Sequence, residues 1–462
     1  MPKDGRRDLM KPKRSLDLTT GPILTKLIIF TLPILATNLL QQLYNAADQI
    51  VVGQFAENGK AALAAVGATG SSINLIVNLF FGLAVGANIV CANLKGANNY
   101  TGLRQAMHSG ILLGGILGIL VCSLGIAVAR PVMRMMNCPE DIIDLSVLYF
   151  RIIFCGKPFV LVYNFASGIM RAHGDTRRPM MILSTTGILN VVLNLIFVIF
   201  CKMSVAGVAL ATIIAQMVSC GWALWILFDP KDEFKLTFSE LKLHGPSVKT
   251  ILRVGIPCGI NSSMFSLSNA SVQSAMNTFS SAAVAGGAAA TSLLTFTHNI
   301  LSAFYASCVS FVGQCYGAGN IQRIRKVART ALLLAIGAIS VMGTFFTFFY
   351  GPAISLYNPD PEVIATGKIK LLIAGWSYIP YVISEVLLGC LRGMKRSSVP
   401  TAINLICMCA IRVAWVQFIF PLHHTLEWLC LGYPVSYICG AIGMGIYYLH
   451  TMRVLSKKQL TA

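Results

Sequence analysis

The chain has 462 residues, 55% of them apolar and 11% charged, with a mean hydropathy of +0.70; soluble domains carry about 25% charge, so the composition is that of a polytopic membrane protein. The net charge of +19 does not point to nucleic acid, because such a binder gathers Lys and Arg on one solvated face, whereas here they lie between apolar spans. Fourteen cysteines are scattered through apolar runs without a Cys-x-x-Cys pair, and Cys407 and Cys409 have no His or acid beside them, so they read as reduced core residues with no disulfide or metal role.

A spanning helix needs about 20 apolar residues. That criterion gives twelve candidates, beginning near Leu27, Ala61, Ala106, Ser146, Met181, Val205, Ile251, Ala282, Val327, Ala365, Val399 and Trp428. Twelve crossings put both termini on one side. The N-terminal arm (Lys3, Arg6, Arg7, Lys11, Lys13, Arg14) and the tail (Arg453, Lys457, Lys458) are basic, as are alternate loops around Arg171, Arg177 and Arg178, around Arg323, Arg325, Lys326 and Arg329, and around Arg392, Lys395 and Arg396. The positive-inside rule makes these segments cytoplasmic, with the plasma (inner) membrane as the expected location. A cleaved signal peptide is not expected, since the first apolar run continues from Leu27 to Phe55 without a small-residue cleavage site.

The halves repeat. Gly21, Pro22 and Pro33 recur as Gly245, Pro246 and Pro257; past the first external loop the offset shortens, pairing Gly96 with Gly317, Asn99 with Asn320, Arg104 with Arg325, Gly168 with Gly389, Arg171 with Arg392 and Pro179 with Pro400. A length difference in the loop containing "AENGK" accounts for the change. The expected division is a basic arm (1–20), a six-helix lobe (21–228), a polar cytoplasmic linker with a short amphipathic helix (229–249), a second six-helix lobe (250–450) and a basic tail (451–462). Units of six crossings are parallel repeats about an axis along the membrane normal, an organisation that suits a transporter rocking around a central cavity.

Several stretches together carry a family resemblance: "LPILATNLLQQLYNAADQIVVGQF" followed by "AALAAVG", then "GIMRAHGDTRRPM", "NVVLN", "VAGVALATIIAQ" and "GCLRGMKRSSVP". In order, spacing and duplication the chain resembles the multidrug and toxic compound extrusion (MATE) transporters from about residue 20 to about residue 450. The resemblance implies an all-α, twelve-helix, V-shaped fold of two lobes, which exports organic, often cationic, compounds in exchange for protons or sodium ions.

Asp48 stands inside the first span, about 10 Å from its middle at 1.5 Å per residue. A carboxylate near the bilayer centre costs upward of about 2.5 kcal/mol, so one kept there normally faces a cavity, a partner or a pathway. Gln41, Tyr44 and Asp48 share a helix face; Asn190 and Asn194 are one turn apart on the fifth span, and Thr212 lies at a similar depth on the sixth. The resemblance makes Asp48 a cation-coupling acid, places Asn190, Asn194 and Thr212 in its polar network, and puts Gln41, Tyr44, Asn164 and Ser167 on the wall of a substrate cavity. Many relatives carry an aspartate where this chain has Asn194. Losing that charge weakens a sodium site more than a proton site, and desolvation favours a neutral carboxyl group, so a proton is the expected coupling ion, with sodium as the alternative. The structural alternative is an acid neutralised by Lys157 or held by the two asparagines, and Asn190, Asn194 and Thr212 also suit ordinary interhelical hydrogen bonding.

The second lobe has no matching acid, since Asp48 falls on Val272. Its charges are Glu385, toward the cytoplasmic end of the tenth span and open to a substrate, to water or to Arg392, and Arg412 in the eleventh, where a fixed positive charge stands in for a bound cation. Lys157, before Pro158, is either a salt-bridge partner or a substrate-repelling charge. Arg171 and Arg392 read as orientation charges at helix ends, "GILLGGILG" (110–118) as a close-packing stripe, and His423 with His424 as too few ligands for a metal. No catalytic motif of the His-Glu-x-x-His or Gly-x-Ser-x-Gly kind is present, so an enzyme is not expected, and the duplication disfavours a passive channel. The expected protein is a monomeric antiporter for small organic cations or other amphipathic drugs, embedded in the lipid bilayer, without cofactor, metal or nucleic acid. The competing reading is a lipid or lipid-linked oligosaccharide flippase, which would carry a more cationic cavity than Lys157 and Arg412 provide.

Overall fold

The computed structural model describes residues 15–55, 59–136, 138–229 and 235–460. The first fourteen residues, the tip of the "AENGK" loop and the acidic part of the linker (Lys231, Asp232, Glu233) lie outside these residues, as do the last two residues.

The described chain is helical throughout. In the first lobe run α1 (Ile23–Phe55), α2 (Gly59–Gly96), α3 (Tyr100–Met135), α4 (Glu140–Cys155), α5 (Lys157–Ala172), α6 (Arg177–Leu195, extended by a π-helical turn Ile196–Phe200) and α7 (Ser204–Leu227). The second contains α8 (Gly245–Met276), α9 (Ser281–Gly317), α10 (Ile321–Ser355), α11 (Pro361–Gly393), α12 (Ser398–Asn404), α13 (Ile411–Ala414) and α14 (Leu426–Leu460), with π-helical segments on both sides of α13. Among the described residues ten helical stretches are long and apolar enough to cross a membrane, and α4 with α5, bent by 43° at Gly156, makes an eleventh. The twelfth passage, α8, has the length but is too polar for that test, with Asn261, Ser262, Ser263, Ser266 and Asn269 along it. Exposed aliphatic and aromatic residues such as Ile119, Leu333, Val341 and Phe348 face outward, as a lipid-facing surface requires.

The repeat is visible in local chemistry. Asn99 Oδ1 accepts the Gly102 N–H at 2.9 Å and caps α3, and Asn320 Oδ1 accepts the Arg323 N–H at 2.9 Å and caps α10. Gly168 packs over the Ala84 carbonyl and Gly389 over that of Tyr305, with room for a Cβ at only 3.1 and 2.8 Å. Across the lobe boundary, a Cβ on Gly96 would stand 1.9 Å from the Gln314 carbonyl oxygen, and one on Gly317 would stand 2.0 Å from that of Asn93. These contacts are reciprocal because α2 and α9 are equivalent helices meeting on the pseudo-twofold axis.

The lobes close on each other toward the end that carries both termini. Asn93 donates to the Gly393 carbonyl, Gln314 to the Ala172 carbonyl, and the Thr31 and Ser307 hydroxyls meet at 2.8 Å. The segment before α1 fastens this seam. Leu16 N–H reaches Gly174 O in the first lobe, Leu18 N–H reaches Gln314 Oε1 in the second, and the Arg323 guanidinium donates to the Leu18, Thr20 and Gly21 carbonyls. Partial burial works against ionisation of Asp17 in this segment, but bonds from Thr19 and Thr20 outweigh it and hold the carboxyl at about 2. Among the described linker residues ahead of α8, the expected amphipathic helix is a single 3₁₀ turn, Phe238–Glu240. It is docked on α3 by Arg104–Glu240 at 2.7 Å and by the Thr237 N–H on His108 Nε2, side-chain contacts that leave the backbone without a helical ladder.

Candidate functional site

α1 belongs to both lobes. Below its middle, Thr31 bonds Ser307 and Asn38 Nδ2 donates to Asn299 O across the boundary at 3.4 Å. Above, it lies on α6, where the Tyr44 hydroxyl donates to Ser184 O at 3.0 Å and the ring sits where a Cβ on Gly187 would fall, 1.8 Å away. Pro33, which lacks an N–H, interrupts the ladder just beyond Thr31, so that Asn38 and Tyr44 both lie on its far side. Gly187→Ala should therefore push the Tyr44 ring off α6 at a cost of about 1–3 kcal/mol of overpacking. The expected result is a lower unfolding midpoint in detergent, and an unchanged midpoint would refute the contact.

Asp48 follows Tyr44 by one turn, half-buried. Its Oδ1 accepts from Asn194 Nδ2, and the same amide nitrogen lies 3.4 Å from Asn190 Oδ1. Asn190 Nδ2 in turn faces Thr212 Oγ1 at 3.4 Å, and Thr212 donates to Val208 O at 2.9 Å. Asp48, Asn194, Asn190 and Thr212 thus form one polar chain through α1, α6 and α7. Valines 51, 52, 198, 205 and 208 pack around it, and Asn194 Oδ1 is buried without a partner. Asp48 has no ion pair among the described residues. Lys157 is not its counter-ion: buried at the bend between α4 and α5, the ammonium lies 5.8 Å from the Phe154 ring centroid.

The other candidates lie apart from this chain. Gln41 is exposed; Ser167 donates to Asn164 O at 3.2 Å and accepts from Arg171 at 3.3 Å. None of Gln41, Tyr44, Asn164 and Ser167 lines the large cavity. That cavity, about 840 Å³, lies in the second lobe and is closed on one side by Asn78, Phe81, Gly82 and Val85 of α2. Its wall carries Lys370, Glu385 and Arg392 together with His298 and a cluster of aromatic rings.

One expectation is corrected by this wall, that for Arg392. Glu385 lies toward the end of α11 as expected, two turns from it, half-buried on the cavity wall beside Asn404, with Arg392 in electrostatic range but not in direct ion-pair contact. Arg392 is not an exposed orientation charge. It is 3% exposed, donates to the Tyr305 hydroxyl at 2.5 Å, and leaves Nε and one terminal nitrogen unpartnered. The count of bases inside the bundle also rises, since Lys370 is buried on α11 with its ammonium on Thr291 Oγ1 at 2.7 Å. Lys370 had a signal in the sequence: it interrupts an apolar span as Asp48 does, and the same cost argument applies to it. Arg412 is fully buried and bound to neutral groups only, Ser436 Oγ and Asn269 Oδ1, under the rings of Tyr433 and Tyr437. The histidine pair is absorbed in packing, His423 on the Trp428 ring and His424 against Thr278.

The MatE family model matches residues 33–196 and matches a second time at 257–416, one match for each lobe. The chain belongs to the MATE family. Among curated relatives of this MATE chain, the probable multidrug resistance protein YoeA of Bacillus subtilis is 24% identical over 444 residues, covering 94% of both chains. A protein described as an FAD transporter from Shewanella oneidensis is 25% identical over 440 residues, covering 94% of this chain and 95% of its own. In fold, the chain is similar to a structure of a multidrug resistance MATE family transporter in an outward-facing conformation. The TM-score is 0.89 at 21% identity, with 97% and 100% of the two chains covered. The MATE fold is thus a twelve-helix membrane architecture of two lobes, and the family is one of multidrug efflux transporters, not enzymes.

Proposed function

We propose that this MATE chain is a secondary antiporter that exports amphipathic organic solutes, small cations among them, in exchange for protons, acting as a monomer in the plasma membrane with both termini in the cytoplasm. The observation that carries the reading is the Asp48–Asn194–Asn190–Thr212 chain, an intramembrane carboxylate held by amides and a hydroxyl with no fixed cation beside it. An acid so placed exchanges a proton with little else to displace. Sodium needs several oxygens with compensating negative charge, and one carboxylate beside neutral amides supplies less of it.

The geometry supports a sequence of events. With the lobes closed at the termini end, protons arrive from the opposite side and neutralise Asp48. Neutralisation removes the cost of burying the charge and weakens its hold on Asn194, freeing α1 beyond Pro33 to repack while Thr31, on the near side of the proline, stays tied to Ser307 of α9. The solute is released outside. Proton loss toward the cytoplasm restores the anion and the starting packing. Coupling requires the solute to bind the two arrangements with different affinity. The flippase reading gains nothing from this acid network.

The reading is tested with purified protein in proteoliposomes loaded with ethidium. An imposed proton gradient should drive efflux, and a sodium gradient of equal size should not. Efflux driven by sodium alone would overturn the choice of ion, and ethidium that stays put under both gradients would overturn the exporter reading.

A further inference from the structure

The large cavity has a charge distribution that the Asp48 mechanism does not use. In its half remote from the termini, Lys370 lines the wall and Arg412 stands just behind it. The Lys370 ammonium has three donors, and its hydrogen-bond partner is one hydroxyl, that of Thr291, whose own proton goes to Gly287 O at 2.8 Å. Arg412 is satisfied by neutral oxygens alone, and one of them, Asn269, is itself a wall residue. Glu385 is the sole acid on the described wall. It follows Lys370 by fifteen positions on α11, about 22 Å along a helix, and lies next to Arg392 instead. A cation kept inside a membrane without a counter-ion is costly unless its partner comes and goes.

Next to this positive half stand flat ring faces. Phe265, His298 and Tyr381 are mutually near-parallel with centroids 5.9–6.2 Å apart, and Tyr381 stacks on Tyr437 at 4.3 Å. His298 follows Thr291 by two turns of α9, about 10 Å. We infer that this cavity binds an aromatic solute that carries an anionic oxygen group on a short chain, the anion at Lys370 and the ring against Phe265, His298 and Tyr381. Lysine is a good point-charge partner for a carboxylate or phosphate, and aromatic faces take a planar ring by offset stacking. The inference rests on the exporter reading and adds a class to its cargo: the second lobe takes anionic aromatic compounds besides the cations already proposed, while the first carries the coupling acid.

The test uses a matched pair of probes, riboflavin 5′-phosphate and uncharged riboflavin, which share a ring system and differ in the anion. Binding to the full-length protein in detergent is followed by quenching of flavin fluorescence, with no gradient applied. The parent should hold the phosphate ester about tenfold more tightly than riboflavin, one charge-assisted contact being worth about that ratio. Lys370→Gln should bring the two affinities together, and Lys370→Arg should keep most of the preference. Equal binding of both flavins by the parent overturns the inference whatever the variants do, and so does a full preference that survives Lys370→Gln. Ethidium efflux under a proton gradient, measured on the same preparations, reports separately on the exporter reading, because its failure leaves the ratio of flavin affinities readable.

Discussion

Proteoliposomes containing Asp48→Asn should show proton-driven ethidium efflux reduced at least about tenfold, to the level of empty vesicles, while the protein remains folded. Both parts of this expectation follow from the site. An asparagine at position 48 keeps the shape of the side chain and an oxygen that can accept from Asn194, so the contact between α1 and α6 survives. It cannot ionise. The exchange of a proton is worth at least the cost of burying the carboxylate, about 2.5–3.5 kcal/mol on insertion scales, and a transporter loses its coupling when that difference is removed. The variant should resemble the protonated parent permanently. Ethidium binding in detergent should be weak and independent of pH in Asp48→Asn. In the parent it should be stronger at high pH and fall as the medium is acidified. Efflux that still follows the proton gradient in Asp48→Asn would remove Asp48 from the coupling step and leave it a structural acid.

The features legible in the sequence were those carried by one helix or by the repeat. Asn99 and Asn320 stood out as a matched pair of the repeat, which the structure explains by their equivalent helix caps, and the Asp48 helix face follows from periodicity. The depth match of Asn190, Asn194 and Thr212 required only a count along adjacent spans, and the structure brings these three together with Asp48. The second lobe was harder to read for a physical reason. Its cavity is built where α8, α9, α11, the π-helical segment after α12 and α14 converge on α2, and no sequence window contains two of those walls. Phe265, His298, Tyr381 and Tyr437 come from four helices. Arg392 was misread because a basic residue at a helix end looks the same in sequence whether it points to the cytoplasm or folds back onto Tyr305. Lys370 and Lys368 look alike in the sequence, two residues apart near the start of the tenth span, and only the fold shows that the chain buries Lys370 and leaves Lys368 near Tyr350.

Closure of the lobes should depend on two glycines, and Gly96→Ala combined with Gly317→Ala should hold the protein open at the termini end. Each added Cβ would meet a carbonyl oxygen of the opposite lobe at 1.9 or 2.0 Å, and backbone on a packed helix has little room to yield. Overpacking of this kind costs about 1–3 kcal/mol. At about 1.4 kcal/mol per factor of ten, one such contact shifts a two-state population roughly five- to hundredfold, and the reciprocal pair acts on the same seam. Cys315 supplies the readout. In the closed arrangement it is fully buried beneath the N-terminal segment, its thiol 3.7 Å from Leu18 O, so N-ethylmaleimide followed by peptide mass spectrometry should find it unmodified in the parent and alkylated in the double variant. Proton-driven efflux should fall in parallel, because an exporter that cannot close one side cannot complete its cycle. Alkylation of Cys315 with efflux intact would show that the seam opens without mattering to transport. A double variant with Cys315 still protected would show that these glycines do not set the closure, and that the bonds of Gln314, Asn93 and Arg323 hold the seam without them.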